Sequence, residues 1–306
     1  MHARRIALTT ALGAVTLALT APVFGGVAVA ATERTVVTES DITRQTEDSL
    51  PLDNWVFFTR AAAPAVGTFR EGPASPPYGS GSFEIATATD AHKGYLFNFD
   101  HVGTQLADID AMGYSTFRSA GRLQQLTSIN IQVDYNGSAA GGFTTLVFEP
   151  VYNAQGDVVS GLWQHWDAYN GGQAIWWSSS PIPGAPNRDT FVTWDTITAE
   201  NPNAAIVRGY GLNQGSYNPA LVTATDALRL SHGKVDVTYD FEVDPLPPTD
   251  KDQCKDGGYL EFSNPSFKNQ GECVSYVQRG DKGSGRVGGE ASSVAAAKLA
   301  ALSRLG

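Results

Sequence analysis

Residues 128–135 alternate without a break, Ile129, Ile131, Val133 and Tyr135 against Ser128, Asn130, Gln132 and Asp134. A period of two puts the apolar side chains on one face of an extended strand and the polar ones on the other. Asn136-Gly137 follows, a pair that tolerates the left-handed backbone of a tight hairpin, and Phe143-Thr-Thr-Leu-Val-Phe148 returns the chain. The pattern recurs at Val235, Val237, Tyr239 and Phe241 against Asp236, Thr238, Asp240 and Glu242, which reads as a closing strand. Half-buried strands of this kind need a second layer to cover their apolar face.

From residue 53 to 242, short β-type runs keep alternating with clusters of Gly, Asn, Pro and Ser. Further strands are predicted at 55–58, 82–86, 95–99, 158–169, 174–178, 191–193, 205–212 and 227–230. No long amphipathic helix separates them, and 105–112 and 202–205 read as short helical turns. The predicted fold class is all-β: a two-sheet antiparallel β-sandwich, jelly-roll-like, with a small C-terminal disulfide module and a short tail helix. The expected organisation is a signal peptide at 1–30, an N-terminal arm at 31–52, the sandwich at 53–243 and a Pro-rich linker at 244–252. The disulfide module then covers 253–279 and a flexible Gly-rich and Ala-rich tail 280–306.

Arg4-Arg5, an apolar run from Ile6 to Val29 and the small-residue exit Ala28-Val29-Ala30 form a secretory signal with cleavage expected after Ala30. No later stretch approaches the roughly 20 apolar residues of a membrane span, so a secreted, monomeric protein without membrane insertion is expected. The 21 Lys and Arg less Arg4 and Arg5 leave 19 basic groups against 31 acidic ones, a net charge of −12. That balance argues against nucleic acid as a partner. The only two cysteines, Cys254 and Cys273, lack the nearby histidines that would complete a zinc tetrahedron, so an exported chain should pair them. Closing that loop is worth on the order of 3 kcal/mol.

The cysteines sit in Cys254-Lys-Asp-Gly257-Gly258-Tyr259 and Phe267-Lys-Asn-Gln-Gly271-Glu-Cys273-Val274. This resembles a motif at the C-terminus of many secreted actinobacterial proteins, with Tyr259 where the motif has Trp, and the resemblance implies export rather than an activity. The stretch from Gly209 to Asp226-Ala227-Leu228, followed by Tyr239-Asp240-Phe241-Glu242, is similar to the ending of laminin-G-like and carbohydrate-binding sandwich modules, with Ala227 where an Asn is expected.

The aromatic concentration from Trp163 to Trp177 is the main functional signal. On a strand, Leu162, Gln164, Trp166 and Ala168 share one face and Trp163, His165, Asp167 and Tyr169 the other, with Asn170-Gly171-Gly172 turning the chain so that Ile175, Trp176 and Trp177 lie alongside. Flat rings beside a titratable ring and a carboxylate can stack on sugar faces while bonding hydroxyls, so Trp163, His165, Asp167, Tyr169 and Trp177 are the candidate ligand-binding residues. The competing reading is that these rings are ordinary filling between two sheets. A glycan or another cell-surface component is the expected partner of a non-catalytic binder. The alternatives are a carbohydrate-active hydrolase or lyase and a structural envelope or matrix protein.

A hydrolase needs two carboxylates at a set separation. Glu84, Glu149, Asp167, Asp195 and Glu200 are available without an evident pairing, and Asp108-Ile-Asp110 is the one close pair. There is no Gly-x-Ser-x-Gly elbow and no His-Glu-x-x-His spacing. His92, His101, His165 and His232 are scattered, and Asp100-His101 sits at a strand end. No cofactor is expected beyond a structural calcium, for which Asp100, Asp108, Asp110, Asp226 and Glu242 are conceivable ligands.

Overall fold

The computed structural model describes residues 32–46, 54–137, 141–262 and 265–279. The predicted signal peptide and the predicted 280–306 tail lie outside the described residues. In chain order the strands are β1 (Glu33–Val37), β2 (Ile42–Thr46), β3 (Trp55–Thr59), β4 (Val66–Glu71), β5 (Gly81–Thr87), β6 (Lys93–Asn98), β7 (Ile109–Ala120) and β8 (Ser128–Asp134). They continue with β9 (Phe143–Phe148), β10 (Trp163–Asp167), β11 (Ile175–Ser178), β12 (Val192–Thr193), β13 (Ala205–Gly215), β14 (Leu221–His232) and β15 (Val235–Phe241). Among the described residues there are also two short α-helices, α1 (Trp194–Glu200) and α2 (Gln270–Arg279), and several 3-10 turns.

The strands form two sheets packed as a sandwich. One runs β12-β11-β9-β8-β13-β6-β3-β2, and the other runs β1-β15-β14-β5-β4 with β7 also on β14 and β10 beyond it. Strand β14 is the hub of the second sheet. Leu221–Thr225 pair with β5, Leu228–His232 pair with β15 on the same edge, and β7 follows the opposite edge along nearly its whole length. The partner changes at a register break around Ala227, whose φ is 55°. An Asn beside this Asp would adopt that left-handed backbone more readily than Ala.

Trp55 stands edge-on to Tyr239 and Phe241 across the interior, at 4.8 and 5.6 Å between ring centres, and Phe57 meets Phe83 at 5.4 Å. Towards the other end Tyr114 meets Phe148. Ile129, Ile131 and Val133 are fully buried, as their alternation requires, and the Asn136-Gly137 turn returns into β9 with Asp134 opposite Phe143.

Several sequence expectations change. The arm at 31–52 supplies β1 and β2, which add parallel edge strands to opposite sheets, so neither sheet is purely antiparallel. The 105–112 segment is a 3-10 turn at Leu106–Asp108 leading straight into β7, whose residues 112–117 are all buried and therefore show no alternation. The 202–205 segment holds a single hydrogen-bonded turn, the Ala204 N–H donating to the Asn201 carbonyl at 3.0 Å, and the helix is α1 just before it, capped by the Thr193 hydroxyl accepting from the Thr196 N–H. Finally, β10 and β11 are not neighbours: β10 pairs β7 in one sheet and β11 pairs β9 and β12 in the other. Asn170, Gly171 and Gly172 all have positive φ, and this sharp turn carries the chain across the sandwich instead of folding it into a hairpin.

The C-terminal module is closed by the Cys254–Cys273 disulfide, joining a 3-10 turn at Lys251–Cys254 to α2. Phe262 and Phe267 pack around it as a small separate core.

Candidate functional site

Strand β10 splits its residues as the sequence implies. Trp166 and Ala168 are fully buried, with the Trp166 indole N–H donating to the Thr116 hydroxyl at 2.8 Å, while His165 and Asp167 are exposed on the opposite face. Leu162, expected on the inner face, is 53 % exposed because the strand begins only at Trp163. Gln155 grips the Asp167 backbone from outside, accepting its N–H at 2.8 Å and donating to its carbonyl. The Asp167 Oδ1 atom accepts the N–H groups of Tyr169 at 3.0 Å and Asn170 at 2.6 Å, an Asx turn that fixes the Tyr169 position. Its Oδ2 has no hydrogen-bond partner among the described residues.

These side chains border a recess of about 270 Å³ on the outer face of the β14 sheet. Asp110 and Gly113 from β7, His165 and Asp167 from β10, Tyr169 from the turn that follows β10, and Arg229 from β14 all line it. Gly113 is needed for its shape: a β-carbon there would come 3.1 Å from the His165 ring and 3.0 Å from the Trp166 carbonyl. Arg229 makes a two-pronged ion pair with Asp236, at 2.8 and 2.9 Å, which holds its guanidinium in place and draws the Asp236 carboxyl below the usual range. Partial burial lowers the His165 pKa, with Asp167 opposing and Arg229 assisting. The imidazole is therefore neutral near pH 7 and offers one donor and one acceptor.

The other two predicted site residues lie elsewhere. Trp163 shares the face of His165 but is half-buried; its indole N–H donates to the Pro73 carbonyl at 2.8 Å and its ring rests 5.8 Å from Phe117. Trp177 belongs to the other sheet, where its N–H donates to Glu149 and Arg188 lies over its ring. Burial raises the Glu149 carboxyl despite that bond. Trp176 and Trp194 are core, 5.3 Å apart.

Among the acids weighed for catalysis, Glu84 is paired with Arg70 and Asp195 accepts from Gln173. Asp110 joins Asp167 in the recess. Among the described residues no three His, Cys, Asp or Glu side chains converge as a metal site. Asp100-His101 opens onto a buried chain: His101 Nε2 is 2.8 Å from the Tyr239 hydroxyl and its Nδ1 is 3.3 Å from His232. Arg229 had no sequence signal, since a single Arg on an apolar strand points to nothing by itself.

No family model and no curated protein matches the chain. Among solved structures it is similar to a "putative sugar binding protein" from Bacteroides thetaiotaomicron, at 13% identity and a TM-score of 0.30, over 67% of this chain and 96% of that one. A likeness that low shows neither a shared fold nor a shared ligand.

Proposed function

We propose that this is an exported, non-catalytic sandwich protein that binds a neutral glycan at the β7-β10-β14 recess. The supporting observation is the convergence of His165, Asp167 and Tyr169, which the sequence places on one strand face, with Asp110 and Arg229 from two other strands. Two carboxylates accept hydrogen bonds from sugar hydroxyls, a neutral imidazole donates one and accepts one, and the Tyr169 ring gives the apolar surface on which a sugar face stacks. Arg229 supplies donors, but its charge is already met by Asp236, so the recess carries excess negative charge and disfavours anionic ligands.

Retention on a panel of insoluble polysaccharides tests the reading, comparing the wild type with Asp167→Asn and Tyr169→Ala. Retention on at least one polymer, lost roughly tenfold or more in each variant, is expected; equal retention of all three proteins would remove the recess as the site. A second reading has one observation behind it, that Asp110 and Asp167 share the recess as a hydrolase pair would. Release of reducing ends from a retained polymer, abolished in Asp110→Asn, would favour it.

A further inference from the structure

The recess, at about 270 Å³, accommodates a single ring rather than a chain. The face it sits on is much larger. Strand register places Asp226 beside Ser115 and Ser115 beside His165, and likewise Ala224 beside Phe117 and Phe117 beside Trp163. These two rows lead from the recess across the outer face of the sheet. Yet Ser115 and Asp226 are buried, at 4 % and 0 % exposure, on the side that should meet water.

Ser115 has the His165 ring beside it, its hydroxyl 3.4 Å from Nδ1, and what reaches Asp226 and Trp163 is the 72–80 loop between β4 and β5. The Tyr78 N–H donates to Asp226 Oδ2 at 3.0 Å, the Ser80 N–H to Glu242 at 2.8 Å, and Pro73 accepts from Trp163. The Arg34 guanidinium lies over the Tyr78 ring, 5.3 Å from its centre. No residue of the loop is itself buried. A segment held by a few polar contacts and contributing nothing to the apolar core opens at small cost, independently of global unfolding.

We infer that the 72–80 loop is a lid over a second subsite, with Trp163 as its stacking platform and Asp226 as its polar floor, continuous with the recess through Ser115 and His165. This rests on the glycan-binding reading and extends it: the preferred ligand is a chain of several sugar rings, and lid opening controls access to the outer rings.

The loop is removable without breaking the sheet, because Glu71 pairs with Gly81 and an Asn-Gly turn can join such strands directly. Full-length protein with 72–80 replaced by Asn-Gly is titrated with chitohexaose, cellohexaose and maltohexaose and with the matching monosaccharides. The shortened form should bind at least one hexasaccharide tenfold or more tighter than wild type, with no gain for the monosaccharide, and Trp163→Ala in the shortened form should erase the gain. Unchanged hexasaccharide affinity, with Asp167→Asn still weakening binding, would overturn the lid and leave the recess standing. Hydrogen exchange on the wild type gives a ligand-free reading. Tyr78 and Ser80 amides should exchange at least a hundredfold faster than the Phe241 amide, and exchange of all three at one rate would also overturn the lid. If no sugar binds any form, the recess reading fails, and the exchange rates alone decide whether the loop opens.

Discussion

His101 and Asp226 are buried groups whose titrations oppose each other. Burial, reinforced by neighbouring His232, depresses His101 to about 4, so the folded state excludes a proton that the unfolded chain binds below its ordinary 6.5. Its contribution is present above that value and is lost as pH falls towards 4. Burial raises Asp226 to about 7, against the N–H groups of Phe241, Tyr78 and Ala227 that favour its carboxylate. Its contribution is fully present below the unfolded carboxyl value and is lost as pH rises through about 7. Between pH 4.5 and 6.5 the two nearly cancel. Urea midpoints across that window should therefore show the wild-type advantage over Asp226→Asn shrinking as pH rises, and that over His101→Gln growing, each at up to about 1.4 kcal/mol per pH unit. Two pH-independent differences would contradict this assignment. Neither residue announced this in sequence: Asp226 follows a run of apolar and hydroxyl residues, Leu221 to Thr225, without pattern, and His101 reads as a turn. His165 and Asp167 were legible because a strand's period of two needs no knowledge of the partner strands.

Among the elements, the strap formed by β1 and β2 ties the two layers together, since each strand extends a different sheet on one side of the 3-10 turn at Glu39–Asp41. Arg34 on β1 pairs with Asp240, whose side chain is fully buried and whose Oδ1 has no partner among the described residues. Arg34→Ala should cost about 1–3 kcal/mol in urea unfolding, because it strands a buried carboxylate, and Arg34→Ala with Asp240→Asn should recover part of that loss. Full additivity would mean the pair is not coupled. The disulfide is a second element-scale device. Cys254→Ser with Cys273→Ser should speed hydrogen exchange throughout α2 by on the order of a hundredfold, as expected for loss of about 3 kcal/mol of loop closure. Unchanged protection of α2 would show that Phe262 and Phe267 suffice. Alternation exposed β8 and β15 to a reader of the sequence, yet Asp236, Thr238 and Asp240 on the nominally wet face of β15 are buried. The strap was illegible because, of β1, only Val37 reaches the core: pairing with β15 makes it a strand, and its own residues do not.

For the molecule as a whole, the sandwich makes the site because it brings Asp110, His165 and Arg229, far apart in sequence, onto three neighbouring strands. Two layers were legible from period and punctuation alone. The placement of β11 was not, since three successive left-handed residues at 170–172 decide whether the chain doubles back or crosses, and composition allowed either. That crossing removes Trp177 from the neighbourhood of Trp163 and leaves Tyr169 as the ring at the recess. The most direct measurement is a backbone-amide NMR titration of the full chain with chitohexaose, cellohexaose and maltohexaose. At least one should shift the amides of Gly113, His165, Asp167, Tyr169, Gly171 and Arg229 saturably and together, whereas shifts centred on Trp177, or no saturable shift with any of the three, would contradict a glycan site at the recess.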